Sequence, residues 1–461
     1  MEPQALTNMQ MRDVETIVHP YTNLHAHRSV GPHVLEKGER IYVHDDQGRR
    51  LIEAMSGLWC AGLGYSDKEL IDAAVEQLHR LPYYHLFGGK SFEPAIELAE
   101  KLKEKFPTPM ARVFFASSGS EANDTQVKLA WYFNNAHGRP EKKKIIGRVK
   151  GYHGVTIVAA SLTGLPNNHR DFDLPVDRIH HTSTPHYWRG AEPGETELEF
   201  SARLAQELED LILHEGPDTV AAFIAVPIMG AGGVIIPPKG YFEAIQPILS
   251  KYDIRLIDDE VICGFGRTGA WFGAETFGMA PQSASFAKQL TGAYVPLSAV
   301  AVDQSMADAL DAESEKIGIF GHGYTYGGHP LGCAVGVKAL EIYETRKIPE
   351  RVARLAPRFA EHLTRLAEHP LVGEGRSSGL VGALELAPDK SGKTMFNPPM
   401  KVGPKMQAEM LARGVIVRAI GDVIAFCPPM IIEEDEIDAM FEPVESALDA
   451  TAHWAKAEGL L

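Results

Sequence analysis

Short apolar runs alternate along the chain with longer segments that carry apolar residues at helical spacing. Between residues 112 and 303 the apolar runs predict strands at 112–115, 144–149, 220–229, 254–257 and 298–303. Helical patterns separate these runs, at 123–134, 156–162, 197–214 and 241–252. Strands that alternate with helices over short connections are typical of a parallel sheet covered by helices on both faces. The pattern therefore predicts an α/β fold with a mostly parallel central sheet.

The two ends of the chain follow other patterns. Residues 1–36 are predicted to be irregular, and residues 40–54 to form a β-hairpin with its turn at Gly48. A helix is predicted over 67–80, with Ser66 as N-cap and Glu69 completing a capping box, and another over 92–106. After Pro330, helices at 331–346, 349–368 and 434–455 and short strands near 380–386, 414–419 and 423–426 predict a smaller α+β unit.

These patterns divide the chain of 461 residues, which is long enough for more than one structural unit. Residues 1–60 are assigned to an N-terminal segment that contributes to a small domain. Residues 61–330 are assigned to a large domain, and residues 331–461 to the C-terminal part of the small domain.

Composition narrows the function classes. The formal net charge of −16 argues against sequence-independent binding to nucleic acid or to an anionic membrane. The four cysteines are scattered, which is typical of buried thiols in a reducing compartment rather than of a disulfide framework or a zinc site. Neither a signal peptide nor a membrane-spanning run is apparent in the sequence. A cytoplasmic enzyme is therefore expected.

The stretch from residue 251 to 300 carries the most informative chemistry. A predicted buried strand ends in Asp258, Asp259 and Glu260, and Lys288 follows in an apolar setting. Desolvation lowers the pKa of a lysine, so that its neutral amine can attack an aldehyde. A buried carboxylate can hold a ring nitrogen protonated, which makes the ring an electron sink. A pyridine cofactor held as a Schiff base needs both groups, although each alone is more typical of a strand cap or a surface charge.

Two further segments are suited to the same kind of ligand. Residues 116–124, ASSGSEAND, lie where a strand turns into a helix, and the helix N-terminus attracts anions. A phosphate site or simple N-capping by Ser118 or Ser120 explains this segment equally well. Residues 151–154, GYHG, place two aromatic rings between glycines, where they contact a flat ligand or only form a turn.

Other motifs do not support a different chemistry. Residues 264–269 match G-x-G-x-x-G, but a poor helix former follows and no acid lies near position 286, so a nicotinamide site is not predicted. Residues 88–91 imitate only the end of a P-loop. The histidine pairs at 25/27 and 180/181 lack metalloprotease spacing, and no metal site is predicted. Residues 323–330, GYTYGGHP, are typical of a flexible domain linker.

Taken together, these stretches resemble the class III aminotransferases, which are pyridoxal 5'-phosphate (PLP) enzymes of fold type I. The resemblance covers roughly residues 21–460 and rests on FFASSGSEAND, GYHG, DEVICGFGRTG with FAK downstream, GYTYGGHP, and VRAIGD followed by CPP. It is strongest to the amine:pyruvate and ω-amino acid branch. It implies transfer of an amino group from a bulky hydrophobic primary amine or an ω-amino acid to pyruvate. The products would be a ketone or aldehyde and alanine, by way of pyridoxamine phosphate.

The resemblance also implies roles for individual residues. Lys288 would carry the PLP Schiff base and later shuttle a proton, and Asp259 would pair with the pyridinium nitrogen. Other residues would hold the phosphate or the ring. These cofactor-binding residues are Ser118, Gly119, Ser120, Tyr152, His153 and Val261.

Further implied roles concern the substrates and a second subunit. Thr325 would reach the phosphate of the other subunit, which makes a homodimer obligatory. Arg418 would be the mobile arginine that binds the carboxylate of the acceptor, a bidentate task suited to a guanidinium. Trp59, Phe87, Tyr152 and Ala231 match positions that line the substrate pockets. The two large apolar residues favour a hydrophobic amine over a diamine, unless Trp59 and Phe87 are only core aromatics.

The sequence departs from the family pattern at three positions. Val226 replaces a glutamate that pairs with the mobile arginine in some relatives, Gln282 replaces an aspartate, and Ser118 replaces an asparagine. The Val226 difference argues against control by 2-oxoglutarate-type acceptors. An aminomutase, a decarboxylase of the same fold and a non-catalytic PLP-binding regulator remain as alternatives. The sequence does not identify the natural amine donor, the enantiopreference, or whether dimers pair into tetramers.

Overall fold

The strands of the computed structural model, which describes residues 6–461, form three sheets. In chain order they are β1 Leu35–Glu39, β2 Tyr42–Asp45, β3 Arg50–Glu53, β4 Arg112–Ala116, β5 Lys144–Arg148, β6 Ile179–Thr182, β7 Val220–Ala225, β8 Arg255–Asp259, β9 Ser283–Phe286, β10 Ser298–Val302, β11 Val372–Ser378, β12 Val381–Leu386, β13 Val415–Ile416, β14 Arg418–Ile420 and β15 Val423–Phe426.

Helices connect and cover these strands. In chain order they are α1 Asn8–Thr16, α2 Leu24–Val30, α3 Ser56–Trp59, α4 Lys68–Arg80, α5 Glu93–Lys105, α6 Gly119–Ala136, α7 Ile157–Leu162, α8 Tyr187–Gly190, α9 Glu197–Glu215, α10 Tyr241–Lys251, α11 Gly273–Phe277, α12 Gln304–Ile317, α13 Pro330–Thr345, α14 Ile348–Leu366, α15 Val402–Ala412, α16 Glu434–Phe441 and α17 Val444–Ala457. Among residues 6–461, no helix has both the length and the apolar character needed to cross a membrane.

The seven-stranded sheet has the order β4-β10-β9-β8-β7-β5-β6. The neighbours from β9 to β6 pair in parallel, whereas β10 runs antiparallel to both β4 and β9. The predicted mostly parallel α/β sheet is therefore confirmed. Because β8 lies in the middle of the parallel part, its end is surrounded by neighbouring elements.

Alternating side chains of the central strands pack against helices on opposite faces. Phe223 of β7 and Leu256 of β8 belong to a cluster with the buried stripe of α9 and with residues of α10. The next residues along each strand, Ile224 and Ile257, pack instead with Val127 of α6. This alternation decides which of the acids that follow Ile257 faces α6.

The two smaller sheets bring the ends of the chain together. The sheet β1-β2-β3-β13 contains the predicted hairpin, and β13 from the C-terminal part pairs in parallel with β3. The third sheet has the order β11-β12-β15-β14. The division into domains at residues 60 and 330 stays a prediction, but the pairing of β13 with β3 agrees with a small unit built from both ends.

Several elements differ from the sequence prediction. The segment predicted to be irregular contains α1 and α2. Neither helix buries a residue within the described chain, so neither has an apolar stripe that would mark it in the sequence. The N-cap of α4 is Asp67 rather than Ser66, because the Asp67 carboxylate accepts hydrogen bonds from the Glu69 and Leu70 N–H groups. The sequence analysis did not predict β6 and β9, because polar residues interrupt their apolar pattern. It also did not predict α12, α15 and β11.

Two C-terminal predictions merged separate elements. The predicted helix at 434–455 is two helices, α16 and α17, which are separated near Pro443. The predicted strand at 414–419 divides between β13 and β14, which belong to different sheets. Short strands that change sheet are not visible as a change in hydrophobic periodicity.

Candidate active site

A cavity of 1150 Å³ lies beside the end of β8 and the start of α6. It gathers side chains from distant parts of the chain, and most of the residues singled out from the sequence line it. Those residues are Trp59, Ser118, Gly119, Ser120, Tyr152, His153, Ala231, Asp259, Val261, Lys288 and Arg418. Phe87 and Thr325 do not line this cavity in their own chain.

Asp259 is the acid of the 258–260 run that faces this cavity, as the alternation along β8 requires. Its Oδ2 atom lies 2.7 Å from Nδ1 of His153 and accepts a hydrogen bond of 2.8 Å from the Asn123 side-chain amide. Asn123 also donates to the His153 carbonyl, so the two partners are tied to each other. The buried carboxylate is therefore held in one orientation. The sequence analysis did not identify Asn123, which looked like an ordinary residue of the first helical turn.

Asp258 and Glu260 point away from the cavity and are fully buried. Oε1 of Glu260 accepts a 2.7 Å hydrogen bond from the Ala274 N–H group, in the first turn of α11. Burial raises the pKa of Asp258 well above its ordinary value and raises the pKa of Glu260 to about 7. The neighbouring carboxyl groups reinforce the shift at Asp258. Of the three consecutive acids, only Asp259 therefore faces the cavity, and the other two are buried in the protein interior.

Lys288 follows β9 and begins a short 3-10 turn. Its ammonium group forms no hydrogen bond and no ion pair with any residue of the described chain, 6–461. Burial lowers the pKa of Lys288, and Asp259 nearby opposes this effect in part. A buried, unpaired amine with a lowered pKa is suited to act as a nucleophile and as a base.

The N-terminus of α6 forms part of the cavity wall, next to Val261. Ser118 is its N-cap, and the Ser118 hydroxyl accepts a hydrogen bond from the Glu121 N–H group at 3.2 Å. The capping explanation therefore holds for Ser118. It leaves the N–H groups of Gly119 and Ser120, which have no acceptor within the helix, free to bind an anion. A β-carbon at Gly119 would lie 3.3 Å from a Val261 methyl group, so there is little room for a side chain here.

This arrangement fits PLP. An anion site at a helix N-terminus, a flat aromatic side chain at Tyr152, an oriented buried carboxylate and an unpaired buried lysine line one cavity. Each matches one part of the cofactor: phosphate, ring face, ring nitrogen and aldehyde.

Arg418 of β14 lines the cavity and, within residues 6–461, its guanidinium has no ion pair or hydrogen bond. The hydroxyl groups of Tyr152 and Tyr21 lie in its neighbourhood, and burial lowers the pKa of Arg418. Val226, which is apolar and buried, also lines the cavity. Arg418 is therefore available for a ligand carboxylate.

Tyr21 is a cavity residue that the sequence analysis did not identify. Its hydroxyl accepts a 2.7 Å hydrogen bond from the Asn168 side-chain amide, and both residues line the cavity. No sequence signal marked Tyr21, because it lies in the segment between α1 and α2 that was predicted to be irregular. Gln282, by contrast, has a structural contact: its side-chain carbonyl accepts a hydrogen bond from the Leu256 N–H group within the sheet.

Trp59 is both a pocket residue and a core aromatic, the two alternatives that the sequence left open. It lines the cavity and also packs in a buried cluster with Met55 and Ile262. Phe87 does neither in its own chain, and its assignment to a substrate pocket stays a prediction. Its ring is 50% exposed and lies beside the loop of Thr325, where a β-carbon at Gly323 would be 2.9 Å from the ring.

Comparison with known proteins agrees with this site. The model of the family described as Aminotransferase class-III matches residues 25–448. Gamma-aminobutyrate transaminase 1, mitochondrial, from Oryza sativa subsp. japonica is 49% identical over 433 residues, which are 94% of this chain and 84% of that protein. The corresponding protein from Solanum lycopersicum is 48% identical over the same shares. The crystal structure of the omega transaminase from Pseudomonas jessenii in complex with PMP has a TM-score of 0.96 and 49% identity, and covers 97% of this chain and 99% of that chain.

The difference in stability between the Glu260→Gln variant and the wild type is expected to favour the variant more at pH 8 than at pH 5. Burial raises the pKa of Glu260 from 4.5 to about 7 in the folded protein. The protonated carboxyl group therefore contributes stability that is fully present below pH 4.5 and is lost as the pH rises through 7. The amide keeps the acceptor for the Ala274 N–H group and cannot ionise. We expect a relative gain of roughly 1–3 kcal/mol at pH 8, measured by thermal unfolding at both pH values.

The exposed Glu100→Gln variant serves as the control and is expected to behave like the wild type at both pH values. If Glu260→Gln lowered stability equally at pH 5 and pH 8, the conclusion that burial raises the pKa of Glu260 would be wrong.

Proposed function

Because the chain belongs to the class III aminotransferases and is a PLP-dependent aminotransferase, we propose that its amino donor is an ω-amino acid or a primary amine and its acceptor is pyruvate. The products would be an aldehyde or ketone and alanine. One observation carries this proposal: the buried, unpaired Lys288, the fixed carboxylate of Asp259 and the unpaired Arg418 line a single cavity. The similarity to transaminases supports amino-group transfer over the aminomutase, decarboxylase and regulator alternatives.

PLP, when bound, supplies an aldehyde carbon that accepts an amine and a ring that withdraws electrons from the adjacent carbon. Lys288 would hold that aldehyde carbon through Nζ until the donor nitrogen replaced it, and the released Nζ would then take the proton from the donor carbon that bears the nitrogen. Because burial lowers the pKa of Lys288, the amine is neutral in more of the molecules than an exposed lysine would be. Since no residue of the described range 6–461 pairs with Nζ, this atom is free for both tasks.

Asp259 supports this chemistry through its charge. Its carboxylate would hold a proton on the ring nitrogen, which strengthens electron withdrawal by the ring. His153 and Asn123 fix the carboxylate, so no reorientation is required during the reaction. The N–H groups of Gly119 and Ser120 would hold the phosphate at the positive end of α6.

Arg418 is our candidate for binding the carboxylate of pyruvate. A guanidinium suits this bidentate contact, and the apolar Val226 offers no competing negative charge. When an uncharged donor substituent occupies the same place, the guanidinium must move towards water, since an unpaired buried charge is costly. Trp59 and the small Ala231 leave space for an apolar part of the donor.

We further propose a homodimer in which Phe87 and Thr325 complete the site of the other subunit. Both lie on one exposed patch, where the Tyr83 hydroxyl donates a 3.0 Å hydrogen bond to the Thr325 carbonyl. An exposed apolar stripe on α4, formed by Ile71, Val75 and Leu78 at 43%, 49% and 47% exposure, supports burial against another chain. A cytoplasmic location also stays a prediction; several similar plant proteins are mitochondrial by name.

The first prediction concerns the overall reaction. The purified protein with PLP is expected to form alanine from pyruvate in the presence of 4-aminobutanoate or 1-phenylethylamine, as measured by quantifying alanine over time. Lys288→Ala should lower this rate at least about a thousandfold, because it removes both nucleophile and base. Its unfolding temperature should show that it is still folded. Normal turnover by Lys288→Ala would refute the assigned role.

The second prediction separates the two half-reactions by single-turnover absorbance measurements. Arg418→Ala is expected to slow the reaction with pyruvate roughly 10- to 100-fold, since a charge-assisted hydrogen bond contributes about 1.5–3 kcal/mol. The half-reaction with 1-phenylethylamine should change by no more than about twofold. Equal losses in both half-reactions would exclude Arg418 as the specific carboxylate site.

The third prediction tests the shared site with differently tagged, co-expressed subunits. A heterodimer of Lys288→Ala and Thr325→Asp chains contains one site with native residues if Thr325 acts across the interface, so about half of the native activity is expected. A heterodimer of a wild-type chain and a chain carrying both substitutions should be inactive. The reverse pattern would show that Thr325 serves its own chain, and a monomeric protein would contradict the dimer.

A further inference from the structure

Lys150 is a cationic residue of the cavity to which the chemistry above assigns no role. It lies two residues after the end of β5, and its N–H group donates a 2.8 Å hydrogen bond to the Gly164 carbonyl. On the other side, a β-carbon at Gly232 would be 2.4 Å from the Lys150 carbonyl oxygen. The backbone of Lys150 is thus closely surrounded, while its side chain lines the same cavity as Lys288 and Arg418.

The ammonium group of Lys150 forms no hydrogen bond and no ion pair within 4.0 Å in the described part of the chain, residues 6–461. Glu385, which acts on the charge of Lys150, and its cross-strand neighbour Glu374 are already engaged. Glu385 accepts hydrogen bonds of 2.7 Å from both Arg189 and Arg376. Glu374 is paired with Arg376 as well and lies 2.9 Å from Nε2 of His186.

Among these charged groups and Lys150, the positive charges outnumber the negative charges by one. Arg189 and Arg376 balance Glu374 and Glu385, so the charge of Lys150 is uncompensated. Burial lowers the pKa of Lys150, and the two arginines oppose the effect of Glu385 on it. A largely buried charge without a partner is unfavourable in the free protein, and an anionic ligand in the cavity would relieve that cost.

Arg418 and Lys150 lie in different neighbourhoods. Arg418 is surrounded by Tyr152 and Tyr21, whereas Lys150 is next to the paired charges of Glu385 and Arg189. The carboxylate of pyruvate is attached directly to the reacting carbon. The carboxylate of an ω-amino acid is separated from its reacting carbon by several methylene groups. Because the two carboxylates lie at different distances from one reacting carbon, two fixed cationic groups in different neighbourhoods would bind both without a large movement of either.

We propose that Lys150 binds the distal carboxylate of an ω-amino acid donor and so selects this donor over an uncharged amine of the same length. The inference rests on the proposed function and names the donor class for the same site. The cavity offers apolar contact for the intervening methylene groups, for example from Met395 and Met400.

The test compares two donors of equal chain length, 4-aminobutanoate and n-butylamine, with saturating pyruvate and the PLP-loaded enzyme. Lys150→Met is expected to lower kcat/KM for 4-aminobutanoate roughly 10- to 100-fold, mainly through a higher KM, because a contact made equally in bound substrate and transition state affects binding. The value for n-butylamine should change by no more than about twofold. Lys150→Arg should restore most of the loss, and Lys103→Met, at an exposed position, should have no effect.

The other outcomes are distinct. Equal losses for both donors, with no rescue by Lys150→Arg, would show a structural role and overturn the proposal, as would unchanged kinetics for both. If the wild-type enzyme used n-butylamine but not 4-aminobutanoate, the inference would fail while the proposed function stood. If the wild-type enzyme transferred nitrogen from neither these donors nor 1-phenylethylamine to pyruvate, the proposed function itself would fail.

Discussion

The hydrogen-bonded carboxylate of Asp259 is the constraint on which the arrangement of the site depends. The alternation of side chains along β8 directs Asp259 towards α6 and directs Asp258 and Glu260 to the opposite face. Asn123 from α6 and His153 from the loop after β5 then hold the carboxylate at 2.8 and 2.7 Å. Because these contacts join three elements, the ring-binding end of the cavity is fixed relative to the helix N-terminus that would hold a phosphate.

The cavity has a second physical property, an excess of unpaired positive charge. Lys288, Lys150 and Arg418 all line it, and none has an ion-pair partner among residues 6–461. Elsewhere in the same region the charges are matched, as in the contacts of Glu385 with Arg189 and Arg376. Leaving three cations unpaired costs stability in the free protein. The cost is understandable if one amine must react with an aldehyde and the other two groups must bind carboxylates.

The sequence predicted the parts of this arrangement that follow from regular patterns. The buried run before Asp259 predicted the central strand, whereas Asp259 and Lys288 received their roles only from the resemblance to the class III aminotransferases. Asn123, Tyr21 and Lys150 were not predicted, because their importance depends on which distant residues the fold brings next to them. Likewise, the polar strands β6 and β9 have no apolar periodicity, and only their neighbours in the sheet make them strands. Phe87 lies outside the cavity of its own chain, and a family pattern does not show which subunit a residue serves.

The central claim is that Lys288 would hold PLP in this cavity and that a donor amine would take the place of Lys288 on the aldehyde carbon. The most direct measurement is the visible absorption spectrum of the purified protein with PLP, recorded alone, after a donor amine, and then after pyruvate. We expect a yellow band that disappears with the amine and returns with pyruvate, and that is absent from a Lys288→Ala protein. A protein that stays colourless when PLP is added, or a band that is the same in Lys288→Ala, would contradict the account.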